Sequence, residues 1–145
     1  MKTVLFLCTG NYYRSRFAEY YFRHLATEHN LAWAADSRGL LLDPGNLGPM
    51  SRHTRAECEQ SGICMEPLRL PQTLSLDDLK AATRVVAVKQ TEHRPLMHKF
   101  FPEWVEKVEY WEVHDVDFAP PSWALPQLRQ HVEELVQQLR GTPEA

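Results

Sequence analysis

Residues 3–7, TVLFL, form a short β-prone apolar run that ends on Cys8, and Thr9-Gly10-Asn11-Tyr12-Tyr13 follows at once. An apolar run this short, without polar alternation, reads as a strand buried on both faces, as parallel sheets require. Gly10 and Asn11 mark a turn. From Ser15 the pattern changes: Phe17, Tyr20, Tyr21 and Leu25 recur at the helix period, to about Asn30. A buried strand, a tight turn and then a helix restrict the chain to architectures in which strands and helices alternate.

The rest of the chain keeps that alternation. Residues 31–36, LAWAAD, read as a second strand, followed by a Gly- and Pro-rich loop to about Ser51. A short helix over 52–61 is closed by Gly62. Ser75-Leu76-Asp77-Asp78 opens another, with acids in its first turn. Residues 84–88, RVVAV, are the clearest internal strand. A helix is expected from Thr91 to Phe100, weakened by Pro95. Residues 107–113 alternate as a strand, and 114–121 read as a loop. The last helix runs from about Ser122 to Arg140, with Leu128, Val132, Leu135, Val136 and Leu139 on one stripe. The expected fold is an α/β sandwich with a four-stranded parallel sheet and helices on both faces. With 145 residues, no repeat and no linker, one domain over 1–145 is expected.

Composition removes several function classes. A net charge of -3 argues against a partner held by phosphate contacts, so no nucleic acid is expected. No apolar run nears the roughly 20 residues of a bilayer span, so no membrane partner is expected. The opening MKTVLFLCTG lacks a cleavage site and leads directly into NYYRSRF, which implies a strand in a cytoplasmic protein. Three cysteines, an odd number, argue against a disulfide framework. The seven histidines form no metal-ligand spacing, so neither metal nor cofactor is expected.

The loop after the first strand carries the chemistry, because ligands of such folds bind beyond the C-terminal strand ends. A loop between a strand end and a helix N-terminus turns backbone N–H groups inward and makes an anion nest. Thr9, Gly10, Asn11, Tyr12, Tyr13 and Arg14 are the candidate phosphate-binding residues. Gly10 is expected to supply a positive φ and a close backbone approach. Arg14 can grip two phosphate oxygens with its planar fork. The same positive field favours the thiolate of Cys8, a nucleophile placed for in-line attack on a phosphate ester. Cys-x5-Arg alone would arise by chance about 0.2 times in this composition; its place between strand and helix gives it weight.

Cys8-Thr9-Gly10-Asn11-x-x-Arg14-Ser15, followed by Phe17-Ala18-Glu19, resembles the phosphate-binding loop of the low-molecular-weight protein tyrosine phosphatases. Asp36-Ser37-Arg38-Gly39 resembles that family's Asp-Ser-Ala-Gly stretch, and RVVAV its third-strand region. The resemblance implies a flavodoxin-like three-layer sandwich of strand order 2-1-3-4. It implies a metal-independent phosphomonoesterase working through a cysteinyl-phosphate on Cys8, with Arg14 and the loop amides stabilising the transition state. Ser15 would hydrogen-bond the Cys8 sulfur, and Asn11 would brace the loop. The general acid would be Asp115, with Asp117 as rival. Substrates would be phosphorylated proteins or small aryl phosphates, with phosphate, sulfate or vanadate as mimics.

The sequence departs from the family pattern at several places. Tyr13 stands where the family often has a second cysteine, and Tyr12 is large for the pocket mouth. Arg16 replaces a proline and is expected to be solvated. Val116 replaces the proline after the acid, and Lys89 takes the place of an aspartate. Two readings compete with the phosphatase: an arsenate reductase, which Cys58 and Cys64 are placed too early to serve, and a non-catalytic phosphate-binding regulatory module. A protein arginine phosphatase typically has a small polar residue where Tyr12 stands.

Overall fold

β1 (Lys2–Cys8) occupies an interior position in a four-stranded parallel sheet of order β2-β1-β3-β4. The computed structural model describes residues 1–114 and 121–141. The missing alternation in β1 has a simple cause. Val4, Phe6 and Cys8 face one helical layer, Leu5 and Leu7 the other, and all are buried. Each large side chain so buried contributes about 2 kcal/mol of transfer free energy. β2 (Trp33–Gly39) runs parallel to β1 from Lys2↔Trp33 to Cys8↔Gly39. β3 (Arg84–Ala87) lies on the other side, paired from Val4↔Arg84 to Leu7↔Ala87. β4 (Glu109–Tyr110) pairs with β3. The flavodoxin-like order expected from the resemblance is the order found.

One layer holds α1 (Arg14–Glu28) and α5 (Pro121–Gly141), with α2 (Arg52–Gln60) against α1. Phe17 and Phe22 meet the Leu128, Val132, Leu135, Val136 and Leu139 stripe over Phe6 and Val86. The opposite layer holds α3 (Leu76–Ala81), α4 (Gln90–Phe100) and a 3₁₀ turn over Pro102–Lys107. There Leu79, Met97, Val105 and Val108 cover Leu5 and Leu7. Among the described residues no helix is long and apolar enough to cross a membrane.

Two elements differ from expectation. β2 runs to Gly39, three residues past the expected end, because Asp36, Ser37 and Arg38 continue the ladder along β1. β2 is an edge strand, so its backbone pairs without an apolar run. β4 is two residues long rather than seven, although Trp111 N–H and Val113 N–H still donate to Ala87 and Val88. The punctuation marks behave as read. Gly62 ends α2 with φ 67, and Ser75 caps α3 in a capping box with Asp78.

Candidate active site

The loop from Cys8 to Arg14 joins the C-terminal end of β1 to the first turn of α1. α1 opens on Tyr13 with no side-chain cap and no acid in its first turn. Its leading N–H groups therefore keep their positive end for an anion. Cys8 Sγ lies 2.8 Å from Ser15 Oγ, both buried. Asn11 Nδ2 donates to that same Oγ at 2.9 Å, which leaves the Ser15 hydroxyl proton for the sulfur.

Asn11 fixes the shape of the loop. Its φ is 49, the left-handed conformation that asparagine tolerates better than most residues. The residue expected to carry positive φ was Gly10; the structure gives that conformation to Asn11 instead, because its side chain is bonded on every side. Nδ2 also donates to Ser37 Oγ at 2.8 Å. Oδ1 accepts from Arg69 Nη1 and from the Gln72 N–H, each at 3.0 Å. Two donors and two lone pairs are all used. Gly39 lies directly behind, where a Cβ would sit 2.8 Å from Thr9 O and 3.0 Å from Asn11 N.

A buried charge cluster continues from this point. Glu19 takes Ser37 Oγ at 2.6 Å, Arg23 at 2.8 Å, and Arg16 and Arg69 at 3.3 Å each. Arg16, expected to be solvated, is fully buried, stacked over Tyr20 and bonded to its hydroxyl. Burial lowers its pKa, and Glu19 opposes that by raising it. It is buried rather than solvated because its partners Glu19 and Tyr20, three and four residues on, gather on one helix face.

On the other side, Arg14 is 2% exposed. Its Nη1 donates to Val113 O at 3.0 Å and its Nη2 to Glu92 Oε2 at 2.8 Å. Glu92 Oε2 also takes the Thr9 hydroxyl and lies 3.0 Å from His93 Nε2. Burial alone would raise the Glu92 carboxyl; the bonds from His93, Arg14 and Thr9 outweigh it and hold Glu92 well below the usual carboxylate range.

Cys8, Thr9, Gly10, Tyr12, Tyr13 and Arg14 line a pocket of about 540 Å³, together with Leu41, Asp43, Asn46, Ser51, Arg52 and His53. Tyr12 forms a wall and donates its hydroxyl to Leu47 O at 2.6 Å. Tyr13 is buried, edge-on to His53. The structure thus brings Cys8, Thr9, Gly10, Asn11, Tyr12, Tyr13, Arg14 and Ser15 together. Asp115 and Asp117 lie outside the described residues. Arg69 and Glu92 were missed by sequence reasoning, and neither carries a local signal.

A family model described as low molecular weight phosphotyrosine protein phosphatase matches residues 3–142. The chain belongs to that family. It is a cysteine-based phosphatase, with Cys8 in a Cys-x5-Arg loop, and the arsenate reductase and non-catalytic readings are not favoured. No curated protein matches the chain significantly. Among solved structures, the phosphatase is similar to the low molecular weight protein tyrosine phosphatase of T. tengcongensis, at 24% identity and TM-score 0.79 over 95% of this chain and 99% of that one. It is similar to the protein tyrosine phosphatase of Entamoeba histolytica, at 18% identity and TM-score 0.79, over 97% of each chain. It is also similar to the arginine phosphatase YwlE with a phosphorylated active-site serine, at 22% identity and TM-score 0.77 over 96% of each chain. At these identities the likeness establishes the fold.

The phosphatase carries its other cysteines away from the pocket lining. Cys58 is buried in the core, where burial and then Glu57 push its thiol up to about 12. Cys64 is exposed.

Proposed function

We propose that this phosphatase hydrolyses phosphomonoesters of aromatic alcohols, either phosphotyrosine in proteins or small aryl phosphates, without a metal. Cys8 thiolate attacks phosphorus, and the P–O bond to the leaving group breaks. Asp115, with Asp117 as rival, gives its proton to the leaving oxygen. Arg14 and the amides of residues 9–14 hold the equatorial oxygens. Water then attacks the cysteinyl-phosphate, the aspartate takes its proton, and the S–P bond breaks to return thiolate and inorganic phosphate. Ser15 assists that departure by donating to sulfur. One domain over 1–145 and a cytoplasmic location belong to this reading, as do phosphate, sulfate and vanadate as competing ligands.

The observation that carries the reading is Cys8 Sγ at 2.8 Å from Ser15 Oγ, on the wall of a pocket that Arg14 also lines. Tyr12 favours an aryl group, since an aromatic wall stacks on a phenyl ring.

The test is hydrolysis of para-nitrophenyl phosphate with EDTA across pH 4–9. Wild type is expected to turn over with a bell-shaped profile and an optimum at about pH 6. Cys8→Ser is expected to abolish turnover, and one of Asp115→Asn or Asp117→Asn to lower kcat by about 100-fold or more. A wild type that binds phosphate without turnover, needs a divalent metal, or works best above about pH 8 would overturn the proposal.

A further inference from the structure

Glu92 stands beside the phosphate loop without being part of it. Three donors converge on one of its oxygens, Oε2: Arg14 Nη2 at 2.8 Å, the Thr9 hydroxyl, and His93 Nε2 at 3.0 Å. The Lys89 N–H donates to His93 Nδ1 at 3.0 Å, so the ring proton sits on Nε2, between the Thr9 hydroxyl oxygen at 3.1 Å and the carboxylate. His93 is fully buried, so the carboxylate is held from behind by a fixed ring. The Glu92 side chain itself is 25% exposed.

Two effects of opposite sign follow. Val113 O and Glu92 Oε2 hold Arg14 at its two outer nitrogens, which sets the plane of the fork before a phosphoryl group arrives. A fork aimed in advance needs no reorganisation in the transition state. The carboxylate also places a negative charge against Arg14, which weakens the pull of the site on a phosphate dianion. A phosphatase benefits from both, because its product is that dianion.

We propose that Glu92 is a positioning residue that sets the plane of Arg14 and at the same time speeds release of inorganic phosphate. The proposal deepens the phosphatase reading and rests on the Cys8–Arg14 loop being the phosphate site. Because all three bonds reach Oε2, Glu92→Gln can present its single carbonyl oxygen there and remove only the charge. Glu92→Ala removes both.

Inorganic phosphate titrated into Cys8→Ser and into Cys8→Ser/Glu92→Gln isolates binding from turnover. The glutamine is expected to tighten phosphate by about 3- to 10-fold. With para-nitrophenyl phosphate, Glu92→Gln is expected to keep kcat within about 3-fold, whereas Glu92→Ala loses more than about 10-fold. Thermal melting confirms that each variant is folded, and a purely structural role would move the melting temperature without tightening phosphate. Phosphate affinity that is unchanged or weaker in the glutamine variant overturns the proposal, as does unaltered kcat in Glu92→Ala. Failure of the parent Cys8→Ser protein to bind phosphate would sink the underlying reading instead.

Discussion

The loop around Cys8 is held from two sides, and the two holds are made of different materials. Toward β2, Asn11 spends every polar atom of its side chain on Ser15, Ser37, Arg69 and Gln72, and is itself fully buried. Toward α4, Arg14 leans on the Glu92 carboxylate, whose side chain is a quarter exposed. The first hold fixes a backbone conformation; the second aims a charge. The difference teaches that loop shape can be set entirely within the protein, while the strength of its field stays adjustable at a solvent-reachable residue.

The comparison is broken most severely at Asn11. Asn11→Ala would leave the Gln72 N–H without its acceptor, take one acceptor from Arg69 and put alanine at φ 49. Unsatisfied buried groups and left-handed strain together predict a stability loss of about 3 kcal/mol. Turnover is expected to fall by more than about 100-fold, since the amides no longer face one point. Urea unfolding and initial rates check both. A loss under about 1 kcal/mol would show that Asn11 is not what holds the loop.

Arg69→Met is expected to do less, about 2 kcal/mol. Breaking a buried ion pair commonly costs more, but Glu19 would keep Arg16 at 3.3 Å and Arg23 at 2.8 Å. What is lost is the bond to Asn11 Oδ1, those to Ser37 and Leu70 O, and the pairs with Glu19 at 3.3 Å and Asp36 at 3.1 Å. Thermal melting of Arg69→Met beside Asn11→Ala, and of the double variant, measures the coupling directly. Additive effects would mean that Arg69 does not act through Asn11.

The two holds also differ in how much of them is legible in the sequence. The strand ending on Cys8, the Gly10-Asn11 turn and the helix from Arg14 onward announce the loop, because those signals are local. Ser75 and Gly62 announce helix ends for the same reason. Arg69 and Glu92 announce nothing. Arg69 lies in a stretch without periodicity, 58 residues from Asn11 along the chain. Glu92 sits in the first turn of α4, where an acid already has a local explanation in the helix dipole. Its partnership with Arg14 spans 78 residues and exists only because β3 pairs beside β1. β2 extends past its expected end for a related reason: its polar end pairs through backbone bonds, to which side-chain patterns are blind.

The smallest expected effect separates the holds by their response to acid. Bonds from His93, Arg14 and Thr9 hold the folded Glu92 carboxyl below its unfolded value of about 4.3. A carboxyl lowered on folding contributes stability that is fully present above the unfolded value. That contribution is lost as pH falls toward the folded one. The gap between wild type and Glu92→Gln should therefore be level from pH 6 to 8 and close progressively below about pH 4.5. Because the side chain is partly exposed, the plateau is at most about 1 kcal/mol. Asn11→Ala removes no titrating group, so its gap should stay level across the same range. Urea unfolding at pH 7, 5 and 3.5 compares the two directly. A Glu92 gap that stays open in acid would mean that its charge contributes nothing to the hold, and that the donors around Oε2 act as neutral hydrogen bonds alone.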